Sequence, residues 1–313
     1  MSAIAKAQKA KGQEYQAEAG RALTKKSWFA SARDRNVEDA AELYLQAANA
    51  YKVGGLNQEA GDVYNVAGEL YRDKLKQANE AAKCFTQAGS CYKKSNPVDA
   101  VSSYQSAVSL LTDAGRLTQA AKLCKECAEL YESEEVAEAG GKSNVVAAIE
   151  AYEQAGELFG MEDSKSQASQ CRAKVAELCS AALDPPDLLR AAGLYDELGR
   201  ACLDSNLLKY NAKSYFLQAI LCHLANGDAI GAEQALGRYE GVDYTFAESR
   251  EGKFCRQLVE CVEGYDAEAF ATACYEFDRI SKLDPWKTSM LVKVKRSIQD
   301  DGAGEEEDDV DLT

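Results

Sequence analysis

The sequence predicts an all-α fold: a solenoid of antiparallel helical hairpins followed by a helical bundle. Three observations predict it. Alanine is abundant, Glu, Gln, Lys and Leu fill much of the rest, and 313 residues include only 4 prolines, a mixture that favours helix nearly throughout. No alternating β-branched run is bounded by hairpin turns, so strands are not expected. One apolar pattern also recurs at a spacing of about twenty residues, the signature of a repeat architecture.

The repeat is visible in AAELYLQAANAY (40–51), AGDVYNVAGELY (60–71), AAKCFTQAGSCY (81–92), AVSSYQSAVSLL (100–111), AAKLCKECAELY (120–131) and AIEAYEQAGELF (148–159). Each places alanine first, a large or soft apolar residue at +4, a small or aliphatic one at +8 and an apolar, usually aromatic, one at +11. Those offsets fall on one helical stripe. Ala191, Tyr195, Gly199 and Cys202 continue the stripe, and the segment around Cys171 keeps it weakly. Twenty residues per helix means about forty per hairpin, longer than the 34-residue tetratricopeptide unit. The expected architecture is therefore a TPR-like right-handed α-solenoid with longer helices. Its small stripe positions let helices approach closely, its aromatics fill the space between layers, and neighbours must stack because no hairpin buries its stripe alone.

In chain order, residues 1–23 read as an N-terminal helix and 24–36 as a short basic loop carrying Trp28 and Phe29. The solenoid follows over 37–229. Turn signals separate its helices at Gly54-Gly55-Leu56-Asn57, Ser95-Asn96-Pro97, Asp113-Ala114-Gly115 and Asp184-Pro185-Pro186. From 230 to 301 the stripe is lost, and the segments 246–281 and 286–301 read as a C-terminal helical bundle. Residues 302–313 form an acidic tail with the composition of a disordered segment.

Net charge is −15. Eight of the acids lie between Asp300 and Thr313, so the rest of the chain carries only 43 acids against 36 bases. A mildly acidic body of this kind has room for a basic patch, but its balance argues against nucleic acid as the main partner. No apolar run is long enough to span a bilayer, and the N-terminus has no apolar leader core. The eleven cysteines fall mostly on core positions, which reads as reduced, packed thiols in a cytosolic protein.

Chemistry-bearing motifs are missing. His223 is the single histidine, and with no partner its default reading is structural. Cys124 and Cys127 form an isolated C-x-x-C, and a zinc site needs two more ligands. Gly141-Lys142-Ser143 ends like a phosphate-binding loop, but Val136 stands where that loop needs its first glycine. An enzyme is not expected, and neither is a cofactor. Exposed bases such as Lys93, Lys94, Arg116 and Lys122 remain, the last lying opposite the 120/124/128/131 stripe. Spacing alone leaves open whether they solubilise the chain or converge on a partner.

DAGRLTQAAKLCKECAELYE (113–132), LLKYNAKSYFLQAILCHL (207–224), ESREGKFCRQLVE (248–260) and ISKLDPWKTSMLVKVKRSIQDD (280–301) closely resemble the soluble NSF attachment proteins, the alpha form more than the gamma form. The likeness runs over essentially the whole chain, and the penultimate Leu312 in an acidic tail fits it. The resemblance implies a non-catalytic adaptor, cytoplasmic and peripheral on the cytosolic face of membranes, monomeric when free. Several copies would wrap a four-helix SNARE bundle containing syntaxin-type SNAREs, then recruit and stimulate the hexameric ATPase NSF.

By resemblance, the SNARE-binding residues are Lys93, Arg116, Lys122, Lys174, Leu207, Tyr210, Lys213 and Arg250. Trp28 and Phe29, flanked by Lys25, Lys26 and Arg33, would contact the membrane, a pairing of aromatic insertion with attraction to anionic lipid. Leu312 with Asp308, Asp309 and Asp311 would engage NSF. One departure stands out: the family's lysine before Cys171 is Gln170 here, and Arg172, two positions on, points about 200° away. From the residues alone, a generic TPR-type scaffold for peptide tails is the alternative.

Overall fold

The apolar stripe becomes a ladder of buried side chains. Ala60, Tyr64 and Tyr71 are buried, as are Ala81, Phe85 and Tyr92, and Ala148, Tyr152 and Phe159. Tyr44, at the second position of its stripe, and Tyr131, at the last of its own, are only half-buried, packed against the same core. The computed structural model describes residues 2–25, 30–133 and 142–308, with residues 30, 142, 143 and 301–308 as backbone only.

Fifteen α-helices are described: α1 (Ala3–Thr24), α2 (Ala30–Val53), α3 (Asn57–Glu69), α4 (Ala78–Tyr92), α5 (Pro97–Asp113), α6 (Leu117–Tyr131), α7 (Lys142–Met161), α8 (Lys165–Ala181), α9 (Leu188–Leu203), α10 (Lys209–Ala225), α11 (Ala229–Val242), α12 (Tyr244–Ala247), α13 (Arg250–Glu263), α14 (Ala267–Ile280) and α15 (Pro285–Asp308). A single π-helical turn, Leu70–Lys74, extends α3. No strand occurs among the described residues. α2 begins at Ala30, so residues 30–36 of the basic segment are helical. α15 runs on to Asp308, past Asp301 where the sequence reading ends the helix. Ala303 and the three glutamates at 305–307 are strong helix formers.

The predicted punctuation falls where the helices break. After α2, Gly55 takes φ +73° and its N–H donates to the Lys52 carbonyl, while Leu56 N–H donates to Tyr51. The same pair of bonds ends α5: Gly115 at φ +68° donates to Thr112, and Arg116 donates to Leu111. Only glycine adopts that left-handed backbone without strain. α5 opens on Pro97, with Asn96 accepting from Asp99 N–H, a combination suited to a helix start.

The chain divides into two compact units, residues 1–171 and 172–313. In the first, each helix from α1 to α6 packs on its successor. The joints use glycine opposite an aromatic ring. A Cβ on Gly61 would lie 2.6 Å from the Tyr92 ring, and one on Gly68 would lie 2.9 Å from the Phe85 ring. The tyrosine hydroxyls then reach polar partners at the layer edge: Tyr51 donates to Gln16 at 2.5 Å, Tyr64 to Asn49 at 2.6 Å and Tyr92 to Asp62 at 2.7 Å. Large rings are thus buried with their oxygens satisfied, which avoids the cost of an orphaned hydroxyl.

In the second unit α10 is the centre. It packs against α9, α11, α13 and α15, and Phe216, Leu217, Ala219, Ile220, Leu221, Cys222 and Leu224 are all buried. A helix that is apolar on every side belongs inside a bundle. Phe216 stacks on Tyr239 at 4.1 Å between ring centres and meets Phe246 edge-on at 5.5 Å. His223 closes the α10–α11 turn, its Nδ1 3.0 Å from Asp228, the structural role the sequence implies.

Ten of the eleven cysteines are buried and Cys274 is half-buried. Burial pushes the thiols of Cys84, Cys124, Cys127 and Cys222 up to about 12 and that of Cys274 to about 11. At pH 8 a thiol with a pKa of about 12 is thiolate in roughly one molecule in 10⁴ and one of about 11 in roughly one in 10³, and thiolate is the reactive form. A thiol reagent is expected to label at most Cys274 promptly in the native protein and all eleven after denaturation. Prompt native labelling of several thiols would contradict this packing.

Candidate binding surfaces and family membership

Lys93, Arg116 and Lys122 belong to the first unit. The turn forced by Gly115 sets Arg116 at the N-terminal end of α6, exposed, with its side chain making no capping bond. Lys122 lies on the exposed side of the same helix. Neither has an ion-pair partner among the described residues. Lys93, the residue after α4, differs: its Nζ pairs with Glu126 of α6 at 2.5 Å. That hydrogen bond raises the Lys93 pKa. Glu126 is four residues from Lys122, hence one turn along the same face. The structure therefore brings Lys93 and Lys122 together, but over a carboxylate that offsets part of their charge.

Lys174, Leu207, Tyr210, Lys213 and Arg250 belong to the second unit. Lys174 pairs with Glu177 at 3.3 Å on α8. Leu207 is 90% exposed and Tyr210 is 73% exposed. They flank the start of α10, where Lys209 stacks its ammonium 5.5 Å from the Tyr210 ring centre. One turn further, Lys213 donates to the Thr245 carbonyl at 3.3 Å, which joins the start of α10 to α12. Arg250 is the first residue of α13 after the Ser249 cap, exposed and without an ion-pair partner among the described residues.

Two contributors escape sequence reasoning. Tyr244, beside the residue that Lys213 grips, is 87% exposed, and Lys209 joins Tyr210. Nothing in their local sequence separates them from ordinary solvated positions; only the Lys213–Thr245 contact, 32 residues apart, does.

Arg116, Lys209 and Arg250 each sit at the N-terminal end of a helix. A helix N-terminus carries partial positive charge, so a cation there works against the macrodipole. These bases do not serve helix stability, and the exposed Leu207 and Tyr210 beside Lys209 do not serve the core. Such surfaces are chemically suited to an acidic, partly apolar counterpart.

Gln170 and Arg172 are both exposed on α8. Trp28 and Phe29, and Asp309, Asp311 and Leu312, lie outside the described residues; Asp308 ends α15 as backbone. No helix among the described residues is long and apolar enough to cross a membrane.

Serially packed helical hairpins bearing outward bases define a tetratricopeptide-like helical-repeat protein. Comparison with known proteins narrows this. The model of the family described as soluble NSF attachment protein matches residues 10–299. The chain is 38% identical over 269 residues to the beta-soluble NSF attachment protein of Bos taurus, covering 86% of each chain. It is 36% identical over 303 residues to the alpha-soluble NSF attachment protein of Vitis vinifera, covering 97% of this chain and 98% of the relative. It is 33% identical over 263 residues to the probable vesicular-fusion protein sec17 homolog of Schizosaccharomyces pombe, covering 84% of this chain and 87% of the relative. The chain belongs to the soluble NSF attachment protein family.

Proposed function

We propose that this chain is a non-catalytic adaptor that binds SNARE complexes and recruits and stimulates the ATPase NSF for their disassembly, in vesicle fusion and intracellular transport. Relatives named for NSF attachment and for vesicular fusion support the reading. The observations that carry it furthest are the exposed bases at helix N-termini, Arg116 in the first unit and Lys209 and Arg250 in the second, and the exposed Leu207 and Tyr210 beside Lys209. A SNARE bundle is a coiled coil with an acidic surface. A face of separated cations holds such a rod by charge without reading its sequence, so binding is promiscuous and salt-sensitive. Leu207 and Tyr210 add apolar contacts that salt does not screen.

Trp28 and Phe29, with Lys25, Lys26 and Arg33 around them, are the proposed contact with anionic membrane. Leu312 in its acidic setting is the proposed contact with NSF, with Asp308, Asp309 and Asp311 supplying charge. In this reading the protein is cytoplasmic and peripheral, monomeric when free, and uses no cofactor.

The surface at α10 gives a clean test. Leu207→Ser combined with Tyr210→Ala is expected to weaken binding to a soluble SNARE bundle by about tenfold or more, as for exposed aromatic anchors at an interface. The melting temperature is expected to shift by only about 2 °C, because exposed side chains contribute little to folding. Unchanged affinity in titration calorimetry would remove this surface from the reading.

A further inference from the structure

The second unit holds a cavity of about 380 Å³ lined by Ala173, Glu177, Tyr195, Tyr215, Gln218, Asp284, Pro285 and Trp286. None of its lining residues belongs to the surfaces described above. Its volume falls within the range of small-ligand sites. Its composition is particular: three aromatic rings and two carboxylates, with no basic side chain in the lining.

The rings are held in place. Trp286 Nε1 donates to the buried Ser180 hydroxyl at 2.9 Å, and its ring meets Tyr195 edge-on at 5.5 Å. Tyr195 in turn stacks on Tyr215 at 6.3 Å. Tyr195 is buried, whereas Tyr215 and Trp286 are half-buried and reach the opening. Each carboxylate already holds one lysine from outside the lining: Glu177 pairs with Lys174 at 3.3 Å, and Asp284 with Lys287. Asp284 also accepts the Lys287 backbone N–H at 2.8 Å. A carboxylate has about four lone-pair directions, so both retain acceptor capacity. The Gln218 amide has no hydrogen-bond partner among the described residues.

We infer that this cavity is a recognition site for one guanidinium group, presented by an arginine side chain of a protein partner. Aromatic faces attract cations, tryptophan most strongly. A planar guanidinium stacks on such rings while its N–H groups reach carboxylates and an amide oxygen in fixed directions. A quaternary ammonium would use the rings but leave Glu177, Asp284 and Gln218 without a donor. A free carboxylate or phosphate would find no cation in the lining to pair with. The lining itself is aromatic and acidic rather than basic, and it gives the second unit a place for a basic partner side chain.

The test uses the full chain and N-acetyl-arginine methylamide as the probe, read through the Trp286 indole N–H resonance. The chain has 2 tryptophans, so Trp28→Phe assigns the signal. The arginine probe is expected to move that resonance saturably in the millimolar range. Tetramethylammonium is expected to bind several-fold more weakly, and N-acetyl-alanine methylamide to leave the resonance still. Glu177→Gln, a conservative change at an exposed position, is expected to weaken the arginine probe by about tenfold, the order of one charge-assisted contact. No saturable shift with the arginine probe would overturn the inference, as would an equal response to the alanine probe. Tighter binding of tetramethylammonium, or undiminished affinity in Glu177→Gln, would overturn the guanidinium assignment. SNARE or NSF binding enters none of these readouts, so this inference and the proposed function fail independently.

Discussion

Gly199→Ala is expected to destabilise the protein by about 1–3 kcal/mol, the usual cost of forcing an extra methyl into a packed core. Gly193→Ala, on the same helix α9, is expected to stabilise it by up to about 1 kcal/mol. The two substitutions are chemically identical. A Cβ at Gly199 would overlap the Phe216 ring, whereas one at Gly193 meets nothing within 4 Å. Phe216 has no room to retreat, because Tyr239 stacks on one side of it and Phe246 meets it edge-on. Denaturant unfolding of the two variants side by side reads the difference. Equal effects of the same sign would mean that the glycine-on-ring joint does not set the helix spacing.

Arg116→Glu combined with Lys122→Glu is expected to reduce SNARE-bundle affinity by roughly tenfold per reversed charge, given about 1.5–3 kcal/mol for a charge-assisted contact. Folding stability should change by less than about 0.5 kcal/mol, because the dipole gain at position 116 is offset by a like-charge pair of position 122 with Glu126. Arg116 stands at the N-terminus of α6 with no ion-pair partner among the described residues, and a carboxylate there favours the helix dipole. The prediction therefore separates binding from folding by magnitude. Lys93 offers the contrast. Its ammonium is already engaged by Glu126, so Lys93→Gln should cost less binding than either reversal. If the double variant binds a SNARE bundle as the wild type does, the basic face of the first unit is not the contact.

Much of this was legible in the sequence. The 4/8/11 stripe is a one-dimensional record of a three-dimensional joint: its third position is small because an aromatic of a neighbouring helix lies on it, as Phe85 lies on Gly68. Turn residues were legible for the same reason, since Gly55 and Gly115 occupy backbone conformations that other residues resist. The centrality of α10 was not. Its apolar residues surround the helix rather than forming a stripe, and a periodicity argument has no direction to report. Charge pairing across layers was also invisible. Lys93 and Glu126 are 33 residues apart, and nothing in either local segment announces the other. The base at 116 was readable as exposed, but that it opposes a helix dipole needed the helix start to be fixed. Tyr244 became notable only through the Lys213–Thr245 bond.

One measurement tests the adaptor reading most directly: the ATPase rate of NSF with a soluble SNARE bundle, without this protein, with the wild type and with Leu312→Ala. Strong stimulation by the wild type and little by the variant, with both binding the bundle equally, is the predicted result. A folded, helical wild type that leaves the NSF rate unchanged would contradict it.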